Sequence, residues 1–158
     1  RPAVNPLLSV TRVGLQTHSS LLRDLARILT SFMVYVEKMG RYVHFGTELG
    51  DEARANLDLG ERVQAFMDQD QNFVMPINIS VAMIAGLWAG VWRGVEKDLM
   101  REETVELSKR YESDPNFKKK IDDLIATHQS FKELVTTMKR DTNLLEMGVN
   151  GQHLGTNL

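Results

Sequence analysis

Two arginines and a serine near the start of the chain, Arg1, Ser9 and Arg12, are the residues most able to do chemistry. They lie in Arg1-Pro-Ala-Val-Asn-Pro-Leu-Leu-Ser-Val-Thr-Arg-Val-Gly14, where Pro2 and Pro6 fix two φ angles and Gly14 adopts conformations that other residues avoid. A stiff segment of this kind can aim the Arg12 guanidinium, which is permanently charged and offers a planar fork of donors suited to phosphate oxygens. The chain supplies no phosphate cradle of its own, because GxxxxGK[ST] and GxGxxG loops are both absent. A phosphate met by Arg12 therefore has to be held by other residues or another polypeptide. Taken alone, Arg12 also suits a solvated surface role, as Gln69 and Gln71 suit a solvated loop.

The elements that must position these residues read as helices. Leu22, Leu25, Leu29, Phe32, Val36, Met39 and Val43 recur at three- and four-residue steps, and Phe45-Gly46 ends that helix. Thr17 or Ser19 is its expected cap. Asp51 is read as the cap of a second helix, which Gly60 is expected to break into two short pieces. Pro76 suits the first turn of a third helix through Val91, and Arg101–Tyr111 makes a fourth. Asp114-Pro115 opens a fifth, expected to run unbroken through Phe117, Ile121, Leu124, His128, Phe131, Leu134 and Met138. The expected fold is all-α: a bundle of about five helices over residues 15–140, preceded by an extended segment at 1–14 and followed by an irregular extension at 141–158.

Composition excludes several classes. The 158 residues are 42% hydrophobic and 25% charged, enough for one domain with a real core, and a net charge of −2 gives no footprint for nucleic acid. Cysteine is absent, so thiolate catalysis and cysteine metal sites are excluded. His18, His44, His128 and His153 show no ligand spacing, so no metal site is expected. The acidic pairs Asp51-Glu52, Glu102-Glu103 and Asp122-Asp123 read as helix starts and solvated faces. The stretch from Ile79 to Trp92, apolar but for Ser80, is too short to cross a bilayer, which takes about 20 residues.

The opening segment closely resembles the RPA[VI]N…SVSRVG signature of the alpha subunit of F-type ATP synthases. Phe45-Gly46-Thr47-Glu48-Leu49 is similar to that family's F[AG]S[DE]L element, and Gly60 falls where the family has a glycine. Gln69-Asp70-Gln71 is similar to its QxQ element. The likeness runs without a gap from Arg1 to about Phe73 and more loosely through Ala89-Gly90-Val91-Trp92-Arg93-Gly94, roughly two thirds of the chain. Asn5, the run Leu8–Gly14 and the QxQ element favour alpha over the similar beta subunit. Pro6-Leu7 and Thr11 depart from the pattern, as does most of the long helix.

The resemblance implies specific roles. Arg12 matches the arginine finger that reaches a γ-phosphate on a neighbouring beta subunit, with Ser9 supporting its loop. Arg1, Pro2, Gln69 and Gln71 match positions lining the adenine and ribose pocket of the alpha subunit's own non-catalytic site, for ATP or ADP with Mg2+; phosphate and Mg2+ ligands would come from outside this chain. The implied partners are the remainder of the alpha subunit, beta subunits in a hetero-hexameric ring, the central rotor stalk and the peripheral stalk. No nucleic-acid partner and no membrane insertion are expected. The chain opens without Met in mid-domain and reads as a fragment, and its divergence suggests the matrix side of the mitochondrial inner membrane. The alternative is a stand-alone helical interaction domain without a nucleotide role.

Overall fold

The computed structural model describes residues 20–46, 48–68 and 75–145, and the chain divides into two units, Arg1–Gln69 and Asp70–Leu158. Every regular element among the described residues is helical: α1 (Ser20–His44), α2 (Asp51–Met67), α3 (Ile77–Ala89), α4 (Lys97–Ser113), α5 (Pro115–Thr127), α6 (Phe131–Arg140) and a 3-10 turn η1 (Thr142–Leu145). The all-α class read from the stripes is the one observed. The expected extended segment at 1–14 and the caps Thr17 and Ser19 lie outside the described residues.

In the first unit, α1 and α2 form a helical hairpin. Gly46, at φ 80°, closes the turn and donates its amide to the Val43 carbonyl at 2.9 Å. Glycine serves here because this backbone conformation is strained for residues with a Cβ. Leu21, Leu22, Leu25, Ala26 and Leu29 are buried, but the stripe fades toward the turn, where Phe32, Val36 and Met39 are half-buried and Val43 is exposed.

Two sequence expectations for α2 are corrected. Gly60 does not break it: the helix runs unbroken from Asp51 to Met67, because the missing side chain is where Val36 of α1 packs. A Cβ at Gly60 would stand 2.5 Å from both Val36 Cγ atoms, and a β-branched side chain has little freedom to turn aside. Nor does Asp51 cap α2. The cap position is Gly50, without a side-chain bond, while Asp51 and Glu52 bring negative charge to the first turn.

The second unit is organised around α3. From Ile79 to Leu87 every residue is buried, and α4, α5 and α6 all pack on this helix. A helix apolar on all sides must be enclosed by neighbours. Gly90, at φ 86°, ends it, its amide bonding to the Leu87 carbonyl and the Val91 amide to the Gly86 carbonyl. Trp92 then folds back, buried, with its Nε1 donating to Glu103 Oε2 at 2.7 Å. Trp88 meets Phe131 edge-to-face at 5.4 Å. At Gly86 a Cβ would crowd Leu145 Cδ1 at 2.8 Å, so small size is needed there for close packing.

Asp114 joins α4 to α5. Its carboxylate accepts from the amides of Asn116 and Phe117, with Pro115 in the first helical turn as the sequence predicts. The expected single fifth helix is two. His128 Nδ1 donates to the Leu124 carbonyl at 2.7 Å and Nε2 meets Thr137 Oγ1 at 2.8 Å, while Ser130 Oγ accepts from the Glu133 amide and starts α6. The apolar phase continues across this break, which is why periodicity alone misses it; Ser130-Phe-Lys-Glu133 has the spacing of a capping box.

One polar cluster ties three helices of this unit. Tyr111 Oη of α4 donates to Asp122 Oδ1 of α5, and Asn78 Nδ2 of α3 donates to the same oxygen at 2.8 Å. Burial is the main cause that pushes the Tyr111 phenol up to about 12, aided by the bond to Asp122 and its charge. Burial also acts to raise Asp122, but the bonds from Tyr111 and Asn78 and the nearby Lys118 together hold it below the usual carboxylate range. Asp114 is likewise held down, chiefly by the Phe117 amide, against a smaller opposing effect of desolvation.

Gly60→Ala gains about 1 kcal/mol of helix propensity but incurs an overpacking cost of roughly 1–3 kcal/mol, so its urea midpoint should fall. Adding Val36→Ala should recover part of that loss. Stability should also fall at both pH extremes. Asp122 and Asp114, depressed in the fold, lose their contribution as pH drops below about 4. Tyr111 keeps its contribution up to pH 10 and loses it as pH rises toward 12. Asp122→Asn should move the phenolate absorbance transition of Tyr111 back toward 10.

Candidate functional site

Arg1, Pro2, Ser9, Arg12, Gln69 and Gln71, the residues singled out from the sequence, all lie outside the described residues. The structure describes the hairpin that carries two of these segments. Val36 meets Gly60 across two helices joined by only six residues, so α1 and α2 run antiparallel, and by register the seven steps from Gly60 to Met67 correspond to the level of Leu29 on α1. The chain therefore enters and leaves this hairpin at its open end. Arg12 precedes α1 in the sequence, and Gln69 directly follows Asp68, the C-cap residue of α2. At about 1.5 Å per residue, α1 extends roughly 14 Å past that point to Ser20.

The closed end holds a groove of about 370 Å³ lined by Val43, Glu48, Leu49, Arg54, Leu57, Asp58 and Glu61. Its apolar lining is Val43, Leu49 and Leu57. Glu48, Asp58 and Glu61 carry negative charge against the guanidinium of Arg54. Asp58 Oδ2 is also held at 2.8 Å by Nε of the buried Arg62. This lining offers no nucleophile and no paired base. Among the described residues no group of three or more His, Asp or Glu is placed to hold a metal ion.

The cluster of Tyr111, Asp122 and Asn78 resembles acid–base machinery in residue type but not in behaviour. The phenol stays protonated and the carboxylate stays ionised throughout the neutral range, so neither exchanges a proton there. It is a fold-holding contact. The expectation of a solvated Asp122-Asp123 pair holds for Asp123, which is exposed, and fails for Asp122, which bridges helices. The available signal was the placement of Tyr111 and Asp122 on either side of the Asp114-Pro115 helix start, on helices that a tight connection must pack together.

Residues 20–142 match the family described as ATP synthase alpha/beta chain, C terminal domain. The protein is similar to ATP synthase subunit alpha of Shewanella halifaxensis, 35% identical over 77 residues, 49% of this chain and 15% of that protein. It is also similar to the alpha subunit of Shewanella sediminis, 35% identical over 86 residues, 54% of this chain and 17% of the other. The alpha subunit of Acetobacterium woodii named as sodium ion specific is 33% identical over 84 residues, 53% and 17% respectively. These matches thus span about a sixth of the length of the curated relatives. No solved structure matches this sequence. The relatives are bacterial, which corrects the expected location at the matrix side of the mitochondrial inner membrane. That expectation rested on sequence divergence, and divergence in packing and surface positions carries no address. Among the described residues no helix is long and apolar enough to cross a membrane. With residues 20–142 inside the match and alpha subunits among its relatives, the protein belongs to the family of ATP synthase alpha/beta C-terminal domains, as the C-terminal portion of an alpha subunit.

Proposed function

We propose that this chain is the helical C-terminal part of an alpha subunit that assists ATP turnover on a neighbouring beta subunit through Arg12. The observation that carries the reading is the family match beginning at Ser20, five residues beyond the motif-bearing segment Arg1–Gly14 in the sequence. In this reading residues 1–14 end a nucleotide-binding domain, 15–140 form the helical domain and 141–158 an extension. Arg12 neutralises charge developing on the transferring phosphoryl group, and its fork of donors fixes direction as well as charge. Ser9 steadies the loop through backbone bonds, the ordinary use of a hydroxyl in turns.

The second part of the proposal is a shared nucleotide pocket. Gln69 and Gln71 present amide donors and acceptors that suit a purine edge and ribose hydroxyls, with Arg1 and Pro2 completing one wall. This donor set fits the nucleoside end of ATP or ADP and supplies no carboxylate or hydroxyl for Mg2+, so phosphate and Mg2+ ligands belong to residues outside this chain. Alone, the chain binds ATP weakly in this reading. Its partners are the rest of the alpha subunit, the beta subunits of an alternating ring, and the rotor and peripheral stalks.

Arg12→Lys keeps the charge but loses the fork. In the assembled complex it should slow single-turnover hydrolysis by a large part of the ~10³–10⁵ that arginine fingers supply, about 4–7 kcal/mol, while nucleotide affinity changes little. Unchanged turnover would overturn the assignment. Co-purification tests the wider reading: a ring containing beta-type chains supports it, and a stable lone monomer favours a stand-alone interaction domain.

A further inference from the structure

Four cations gather in the second unit where the chain beyond α6 meets the early part of α5. Lys139 and Arg140 close α6, and Lys119 and Lys120 follow the first turn of α5. The 3-10 turn η1 joins the two sites: Lys120 Nζ donates to the Asn143 carbonyl at 3.4 Å, three residues beyond Arg140, and the buried Leu144 and Leu145 anchor the turn. All four residues are exposed, and none forms an ion pair with another described residue. Lys118 is committed elsewhere, 5.6 Å from the Tyr111 ring and lending its charge to Asp122. Of the flanking acids, Asp122 is taken up by Tyr111 and Asn78, and Asp141 accepts from the Asn143 amide at 3.1 Å, which leaves Asp123.

Helix stability accounts for half of this charge. Lys139 and Arg140 complement the macrodipole at the end of α6, but Lys119 and Lys120 lie near the start of α5, where negative charge is favoured and the first turn holds no acidic residue. The surplus selects an anionic occupant by charge complementarity. Neighbouring helix positions point about 100° apart, so Lys119 and Lys120 diverge and suit carboxylates spaced along a chain better than a single phosphate. From α5 to η1 no large hydrophobic side chain is exposed to enter a lipid surface. The net charge of −2 opposes a polyanion as long as a nucleic acid. Nor does the chain's own continuation supply the anions, since residues 146–158 hold one acidic side chain, Glu146.

We infer that this basic corner docks an acidic segment of a partner polypeptide, with Asp or Glu side chains meeting Lys119, Lys120 and Arg140. The inference rests on the placement of these charges and does not depend on the role given to Arg12. A fluorescein-labelled peptide of alternating Glu and Gly, titrated into the full chain at low salt, should bind, and its Lys and Gly counterpart should not. Lys119→Glu combined with Arg140→Glu should weaken binding about tenfold or more, equivalent to at least ~1.4 kcal/mol. Arg23→Glu with Lys38→Glu on α1 changes the net charge equally, also at exposed positions, and should leave the affinity unchanged. Circular dichroism checks that each variant is folded, and the milder Lys119→Gln with Arg140→Gln should give an intermediate loss. Failure of the Glu–Gly peptide to bind, full affinity in the Lys119/Arg140 reversal, or an equal loss in the α1 reversal overturns the proposal. Tighter binding of phosphatidylglycerol vesicles or of duplex DNA than of the Glu–Gly peptide also overturns it. In the assembled complex, a photo-crosslinker at Lys119 should capture an Asp- or Glu-rich segment of another polypeptide. Capture of a basic or uncharged segment, of a second copy of this chain, or of no polypeptide counts against it.

Discussion

The burial of α3 on all sides is the constraint from which the second unit follows. A helix whose residues from Ile79 to Leu87 are all shielded from water satisfies its backbone internally but leaves no polar face to present outward. Its neighbours must therefore surround it, and their connections must be short enough to turn the backbone around each time. Gly90 leads into the Trp92 fold-back, Asp114 serves both the end of α4 and the start of α5, and His128 with Ser130 redirects the path into α6. The stripes on α4, α5 and α6 are the complements of one central rod. Asn78, at the polar beginning of that rod, is the position from which a side chain reaches the Tyr111–Asp122 pair.

The hairpin of the first unit obeys a different constraint, close approach at one point. Gly60 lets Val36 nearly touch the α2 backbone, and this contact fixes the antiparallel register of the two helices. That register sends both chain ends out at one end of the pair and leaves the acidic groove at the other. In sequence, the segments that hold Arg12 and the glutamines adjoin the open end, away from the groove lined by Val43, Leu49 and Leu57.

Much of this was legible in the sequence, and the misses have physical causes. Helix identity came through because the apolar steps of three and four are imposed by burial, and the cap Asp114-Pro115 was readable because its chemistry is local. Gly60 misleads because propensity treats a glycine as a weakness, whereas here the absent side chain is a packing surface supplied by a helix over twenty residues away in sequence. The break at His128 is hidden because the apolar phase survives it. Asp122 escapes sequence reading because burial of a carboxylate depends on which donors arrive from other helices, and Asn78 lies 44 residues earlier. Arg12 and the glutamines were legible only through their motifs, since isolated arginines and glutamines carry no pattern that distinguishes a ligand contact from a solvated surface.

The two tryptophans of the sequence, Trp88 and Trp92, both sit in the second unit, one against Phe131 and one bonded to Glu103. Indole emission therefore reports from the second unit, while far-ultraviolet ellipticity sums the helices of both. Any gap between the two denaturation curves measures how independently the hairpin melts.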